Sequence, residues 1–155
     1  MTDDVVGKSM VAGFLFVNGA GVLLVEKRRP TWQAGLLNGI GGVMKDGETP
    51  LYAMVREFRK ETGYAEGLEW RHYATEIEPF GATVHFFTAG IWHMHSSWPS
   101  FNGVGERLHF VHPEEIYRRR VVGNLQWLVP LALDKRDLEV VTVTARGDIR
   151  ERATW

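Results

Sequence analysis

The chain contains no cysteine. Disulfides and thiolate metal sites are therefore excluded, and the composition fits a reducing compartment, so a cytoplasmic location is expected. No stretch approaches the roughly 18 apolar residues that a membrane span needs. The opening "MTDDVVGKSM" begins with acids and lacks the apolar region of a signal peptide. A dominant charge sign is missing too: 18 Lys and Arg against 19 Asp and Glu give a net charge of -1. That balance offers no bulk attraction to a nucleic-acid polymer or an anionic membrane. Internal repeats and low-complexity linkers are also absent. What is present is 155 residues, 45% of them hydrophobic, which suffices for one buried core. A single domain over 1–155 is expected, with about 146–155 as a loose polar tail whose "RGD" carries no meaning alone.

Turn and period signals divide the chain into elements. "MVAGFLFV" (10–17) and "VLLVEKR" (22–28) flank an "NGAG" turn and read as a hairpin. "LLNGIGGV" (36–43) reads as a short strand interrupted by glycine. Thr49 and Pro50 suit the N-cap and first position of a helix. Leu51, Met54, Val55 and Phe58 then recur at helical spacing as its buried face, and Gly63 ends it. Strands are expected at 71–78, 82–92, 107–111 and 137–145, a short helix at 112–119 and a second main helix at 124–133, where Pro130 would kink it or shift its start. The mixture is α+β, a mixed sheet with packed helices.

Chemistry concentrates in "NGIGGVMKDGE" (38–48) and "REFRKETGY" (56–64). Glycines let backbone groups approach an anion closely. Glu48 stands at the loop–helix junction, where the helix dipole favours an acid. Glu57 and Glu61 lie one turn apart on one side of the helix and repel each other unless a cation sits between them. Mg²⁺ takes oxygen ligands from few carboxylates and leaves room for substrate phosphates. Together these residues point to a metal–phosphate site, although a Glu pair at this spacing is by itself common on helix surfaces.

The order of these residues resembles the box of the Nudix hydrolase family: Gly42, five residues, Glu48, seven residues, Arg56-Glu57, Phe58, Arg59, Lys60-Glu61, Thr62, Gly63, Tyr64. Eight of the nine specified positions match, with the spacing intact over 23 residues. Chain length and element order are similar to those of the small MutT-type members. The resemblance implies an α/β/α sandwich, a mixed sheet between helices. It implies hydrolysis of a nucleoside diphosphate linked to another group, in the first place a nucleoside triphosphate, including oxidised purines. The partner is then a small nucleotide, and the cofactor Mg²⁺ or Mn²⁺. Glu57 and Glu61 would be metal ligands, Gly41 or Gly42 would offer a backbone carbonyl, Arg56 would orient Glu57, and Glu48 would brace the loop. Glu106 stands where the family often has an extra acid facing the metals. Asn38 and Asn124 stand where relatives place base-contacting asparagines; as plain residues they would be a turn and an N-cap residue.

Lys60 departs from the pattern. It replaces the first glutamate of an E-E pair that normally ligates metal, and a protonated lysine cannot do so. Three readings follow: fewer metals with activity retained, a missing carboxylate supplied by Glu106, or direct contact of Lys60 with a substrate phosphate as a point charge. The first is favoured. A protein of another class, which binds nucleotide for regulation through an impaired box, competes with all three. Pro79, 15 residues after Tyr64, resembles a feature of ADP-ribose-cleaving members and keeps that substrate as the alternative. Arg28 and Arg29, in "KRR", read as solvated charges or as triphosphate contacts. Trp32, Trp92, Trp98, Trp127 and Phe86 read as core or rim aromatics, any of which could stack on a base. His93 and His95 would share a strand face, but no third ligand accompanies them. Nothing in the sequence sets an oligomeric state.

Overall fold

A computed structural model of the chain describes residues 7–64, 67–79, 81–92 and 105–146. His93, His95, Trp98 and the tail from 147 onward lie outside them. The "NG" turn does what its sequence predicts. β1 (Met10–Val17) and β2 (Gly21–Glu26) form an antiparallel hairpin with Leu15 opposite Leu23. β3 (Leu37–Asn38) and β4 (Ile40–Val43) follow, then α1 (Pro50–Thr62), β5 (Arg71–Ile77), β6 (Thr83–Ile91), β7 (Arg107–Val111), α2 (Leu125–Ala132) and β8 (Val141–Thr144). The path β3-β2-β1-β6-β5-β8 runs through one sheet, with β4 also paired to β1 and β7 to β2. β1–β6 and β5–β8 are parallel and the other pairs antiparallel, so the sheet is mixed.

Strand alternation splits the core in two. Ala12, Phe14 and Phe16 of β1 point to the face covered by α2, where Leu125, Leu128 and Val129 are fully buried. Val11, Leu15 and Val17 point to the other face, against Met54 and Phe58 of α1. The sheet is thus sandwiched between helices. Tyr73 fastens the α2 side by donating its hydroxyl to the Leu128 carbonyl at 3.0 Å. No helix of the described residues is long and apolar enough to cross a membrane.

α1 begins and ends where its sequence signals stand. Thr49 Oγ1 accepts from Tyr52 N, Pro50 occupies the first turn, and Gly63 closes the helix at φ 70°. Its buried face differs from the expected stripe. Leu51 and Val55 are 48% and 40% exposed, whereas Ala53, Met54, Glu57, Phe58 and Thr62 are buried. The face is rotated toward the carboxylates, because α1 seats Glu57 against β4 rather than in water. Other differences are local. Strand 36–43 breaks at Gly39 into β3 and β4, the late strand spans only 141–144, and the short helix after His112 is a 3₁₀ turn, Pro113–Arg118.

Candidate active site

The site forms where β4 passes beneath α1. Gly41 pairs with Ala12 across β1–β4, and the Gly42 backbone faces the Glu57 side chain. A Cβ on Gly42 would stand 2.7 Å from the Glu57 carboxyl carbon, so only glycine leaves room for that carboxylate. A Cβ on Gly41 would stand 1.9 Å from the Val11 carbonyl oxygen, which fixes glycine there for strand packing.

Arg56 clamps this arrangement. Its Nε and Nη2 donate to the two oxygens of Glu48 at 2.5 and 2.9 Å, Nη1 donates to Glu57 Oε1, and Nη2 also reaches the Val43 carbonyl at 3.2 Å. Glu48 Oε2 further accepts from Lys45 N at 2.8 Å. The Arg56 hydrogen bond, set against partial desolvation, holds the Glu48 carboxyl down at about 2. One planar guanidinium thus ties the loop, the start of the helix and the central carboxylate together, a geometry lysine cannot reproduce.

Glu57 is only 4% exposed, and both its oxygens face cations: Oε1 faces Arg56, and Oε2 lies 3.5 Å from Lys60 Nζ. Lys60 is otherwise largely in solvent, its side chain 69% exposed. Glu61 differs from its neighbour. Its Oε2 is buried with no hydrogen-bond partner. Burial pushes its carboxyl up to about 7; Glu106 and Glu57 add to the rise, while Lys27 and Lys60 oppose it.

Glu106 accepts from Lys27 Nζ at 3.5 Å and from Arg28 N at 3.2 Å. Among the described residues no three His, Asp or Glu side chains converge into a metal-holding group, and Glu106 is engaged by Lys27 and Arg28. The donor set still fits a hard divalent cation that takes few protein ligands. An orphaned, desolvated carboxylate oxygen on Glu61 and an oxygen-only cradle of Glu57 beside the Gly42 backbone are what such an ion requires.

A cleft of about 270 Å³ opens from the same strand. Its walls include Gly41, Gly42, Asn38, Asn124, Trp32 and Phe86, and Lys27 and Arg29 stand among them. Asn38 is braced: Nδ2 donates to Gln33 Oε1 at 3.1 Å and Oδ1 accepts from Gly39 N at 2.7 Å. Asn124 precedes α2 but does not cap it with its side chain. Its Nδ2 donates instead to Glu76 Oε2 at 3.1 Å. Arg28 lies apart, lining a second depression with Lys27 and Arg107. Trp127 packs against the core, and Trp92 is 57% exposed.

A family model described as the NUDIX domain matches residues 8–141. The chain belongs to the Nudix family. Solved structures agree in fold. The mutator MutT protein of Bacillus halodurans is 19% identical, with a TM-score of 0.63, over 88% of this chain and 89% of that one. A Nudix hydrolase from Nitrosomonas europaea is 18% identical, with a TM-score of 0.58, over 90% and 80%. A bifunctional NMN adenylyltransferase/ADP-ribose pyrophosphatase from Francisella tularensis, complexed with AMP and a Mn ion, is 16% identical, with a TM-score of 0.63, over 82% of this chain and 41% of that one. No curated protein sequence matches. Family and fold make this chain a Nudix pyrophosphohydrolase.

Two residues at or beside the cleft leave little mark in the sequence. Lys27 reads as part of a charge run, yet it lines the cleft and meets Glu106. Glu76 stands behind the cleft residue Asn124. Its signal was alternation: it falls in phase with buried Ala74 on β5 and is itself 3% exposed.

Proposed function

We propose that this Nudix protein hydrolyses a nucleoside triphosphate, oxidised purine nucleotides included, to the monophosphate and pyrophosphate with Mg²⁺ or Mn²⁺. The observation that carries the reading is adjacency. A cleft with aromatic and amide walls is bounded by Gly41 and Gly42, the same backbone that faces the Glu57 carboxylate. A base held against Trp32, over the cleft floor to which Phe86 contributes, would place its phosphates along that strand toward Glu57 and Glu61, with Lys27 and Arg29 beside them.

Glu57 and Glu61 would hold the cation, with a backbone carbonyl of Gly41 or Gly42 as a further donor. When bound, the ion would supply neutralisation of the diphosphate and Lewis acidity at phosphorus. Arg56 keeps Glu57 in place through the Glu48 brace, so the carboxylate does not reorganise during the reaction. Attack by water in line with the leaving group forms one P–O bond and breaks the anhydride P–O bond. The water's proton passes to a carboxylate, a role we assign to Glu57, and pyrophosphate departs. The protein acts on a free nucleotide, not on a polymer.

A second reading rests on one contact, the 3.5 Å approach of Lys60 to Glu57. An ammonium at that carboxylate would suit a regulatory protein that binds nucleotide and does not cut it. One panel separates the readings: NTPs, oxidised dNTPs, ADP-ribose and dinucleoside polyphosphates, each with Mg²⁺ or Mn²⁺. Pyrophosphate release from a triphosphate supports the first. Tight binding without turnover at any pH supports the second, and cleavage of ADP-ribose alone moves the substrate class.

A further inference from the structure

Glu76 is a carboxylate buried to 3% exposure that makes no salt bridge among the described residues. Its hydrogen bond is to Asn124 Nδ2, and Asn124 lines the cleft. A carboxylate only accepts, so the amide nitrogen must face it, which fixes the flip of Asn124. The other branch of that amide, Oδ1, is buried and has no partner. Asn124 also forgoes the usual use of an asparagine before a helix, since its side chain caps nothing. A buried acceptor left unpaired is destabilising until a donor reaches it.

We infer that Glu76 is a positioning residue for base selection: it locks Asn124 with its carbonyl as the acceptor for an N–H donor of the bound base, so the cleft selects bases whose edge carries an amine. This rests on the cleft being the nucleobase site. Asn38 Oδ1 already accepts from Gly39 N, whereas Asn124 Oδ1 has no partner among the described residues. Without Glu76, the Asn124 amide is free to turn and present either end, and discrimination is lost while phosphate binding is kept.

Nucleoside monophosphates test the inference, since they carry the base but no anhydride. Dissociation constants are measured by calorimetry for the guanine and hypoxanthine pair, which differ by the 2-amino group. The adenine and unsubstituted purine pair, which differ by the 6-amino group, is measured alongside. Inorganic tripolyphosphate reports the phosphate site. For at least one pair, wild type should favour the amino base by about ten-fold, the scale expected when a site built for a donor meets an analogue lacking it. In Glu76→Leu, which removes the acceptor, that ratio should fall below about three-fold with tripolyphosphate affinity unchanged, and Asn124→Ala should match it. If Glu76→Leu does not fold, Glu76→Met likewise removes both charge and hydrogen bond and carries the same expectation. Equal binding of both members of both pairs by wild type overturns the inference, as does an unchanged ratio in the Glu76 variants; either result leaves the nucleobase site standing. Binding of tripolyphosphate without any monophosphate overturns the nucleobase site itself, and this inference with it.

Discussion

Lys60 offers the sharpest quantitative test. Its Nζ lies 3.5 Å from Glu57 Oε2. A divalent cation on that oxygen sits about 2.0–2.6 Å away, so cation and ammonium are at most about 6 Å apart. A charge of +2 beside +1 at about 6 Å, in a water-like dielectric, costs about 1.4 kcal/mol. The water value is appropriate because the Lys60 side chain is 69% exposed. Removing the charge in Lys60→Gln should therefore tighten Mn²⁺ binding by about ten-fold, and reversing it in Lys60→Glu by up to about a hundred-fold. Stability should scarcely change, since a pair with one partner so exposed contributes at most about 1 kcal/mol. Mn²⁺ titration followed by electron paramagnetic resonance reads both affinity and stoichiometry, and thermal unfolding serves as the control. Unchanged affinity in both variants would refute the electrostatic reasoning. Weaker binding in Lys60→Glu would show that the lysine organises the site instead of opposing the metal.

Other expectations follow from single contacts. Gly42→Ala places a methyl 2.7 Å from the Glu57 carboxyl carbon, so turnover should fall at least about a hundred-fold with the fold retained, whereas Gly41→Ala collides with the Val11 carbonyl and should lower the melting temperature; equal melting of the two would contradict the geometry. Glu61→Gln should abolish metal-dependent turnover yet leave metal-free stability equal or higher at pH 8, because it replaces a carboxylate whose Oε2 is enclosed and partnerless with a neutral amide; full activity would remove Glu61 from the site. His72 and His85, in edge contact on the sheet, are held below the ordinary histidine range, in both cases chiefly by burial. The unfolded chain then binds more protons than the folded one, so stability should be complete above about pH 6.5 and decline as pH falls below it. His85→Phe should flatten that decline in urea melts, and an unchanged slope would place its origin elsewhere.

How far the sequence reaches depends on what kind of signal each feature leaves. The β1–β2 hairpin and both ends of α1 were legible because turn and cap chemistry is local: an Asn-Gly pair, a Thr-Pro pair and a glycine each specify backbone angles without reference to distant residues. The buried face of α1 was not. Hydrophobic periodicity assigns Leu51 and Val55 inward and every charge outward, and that assumption fails where a carboxylate is buried for function. Glu57 rests against Gly42, fifteen positions earlier in the chain, and no helical period records that contact. The same holds for Asn124. Its place before α2 reads as a cap, and only the packing of α2 over β5 shows that its partner is Glu76, 48 residues away.

The two acids of α1 lie one turn apart, and the fold treats them differently. Glu57 faces a cation on each oxygen, Arg56 and Lys60, while Glu61 has one oxygen enclosed and unpaired. A cation entering this site would meet one carboxylate that already faces two cations and another whose desolvation Lys27 and Lys60 only partly offset. On the proposed metal role, Glu61 would gain more from the ion than Glu57, because an enclosed carboxylate oxygen without a partner costs more than a paired one. The spacing that links them in sequence gives no hint of this inequality. It arises from packing: Arg56 and Lys60 both reach Glu57, while the Glu61 Oε2 is enclosed without a partner.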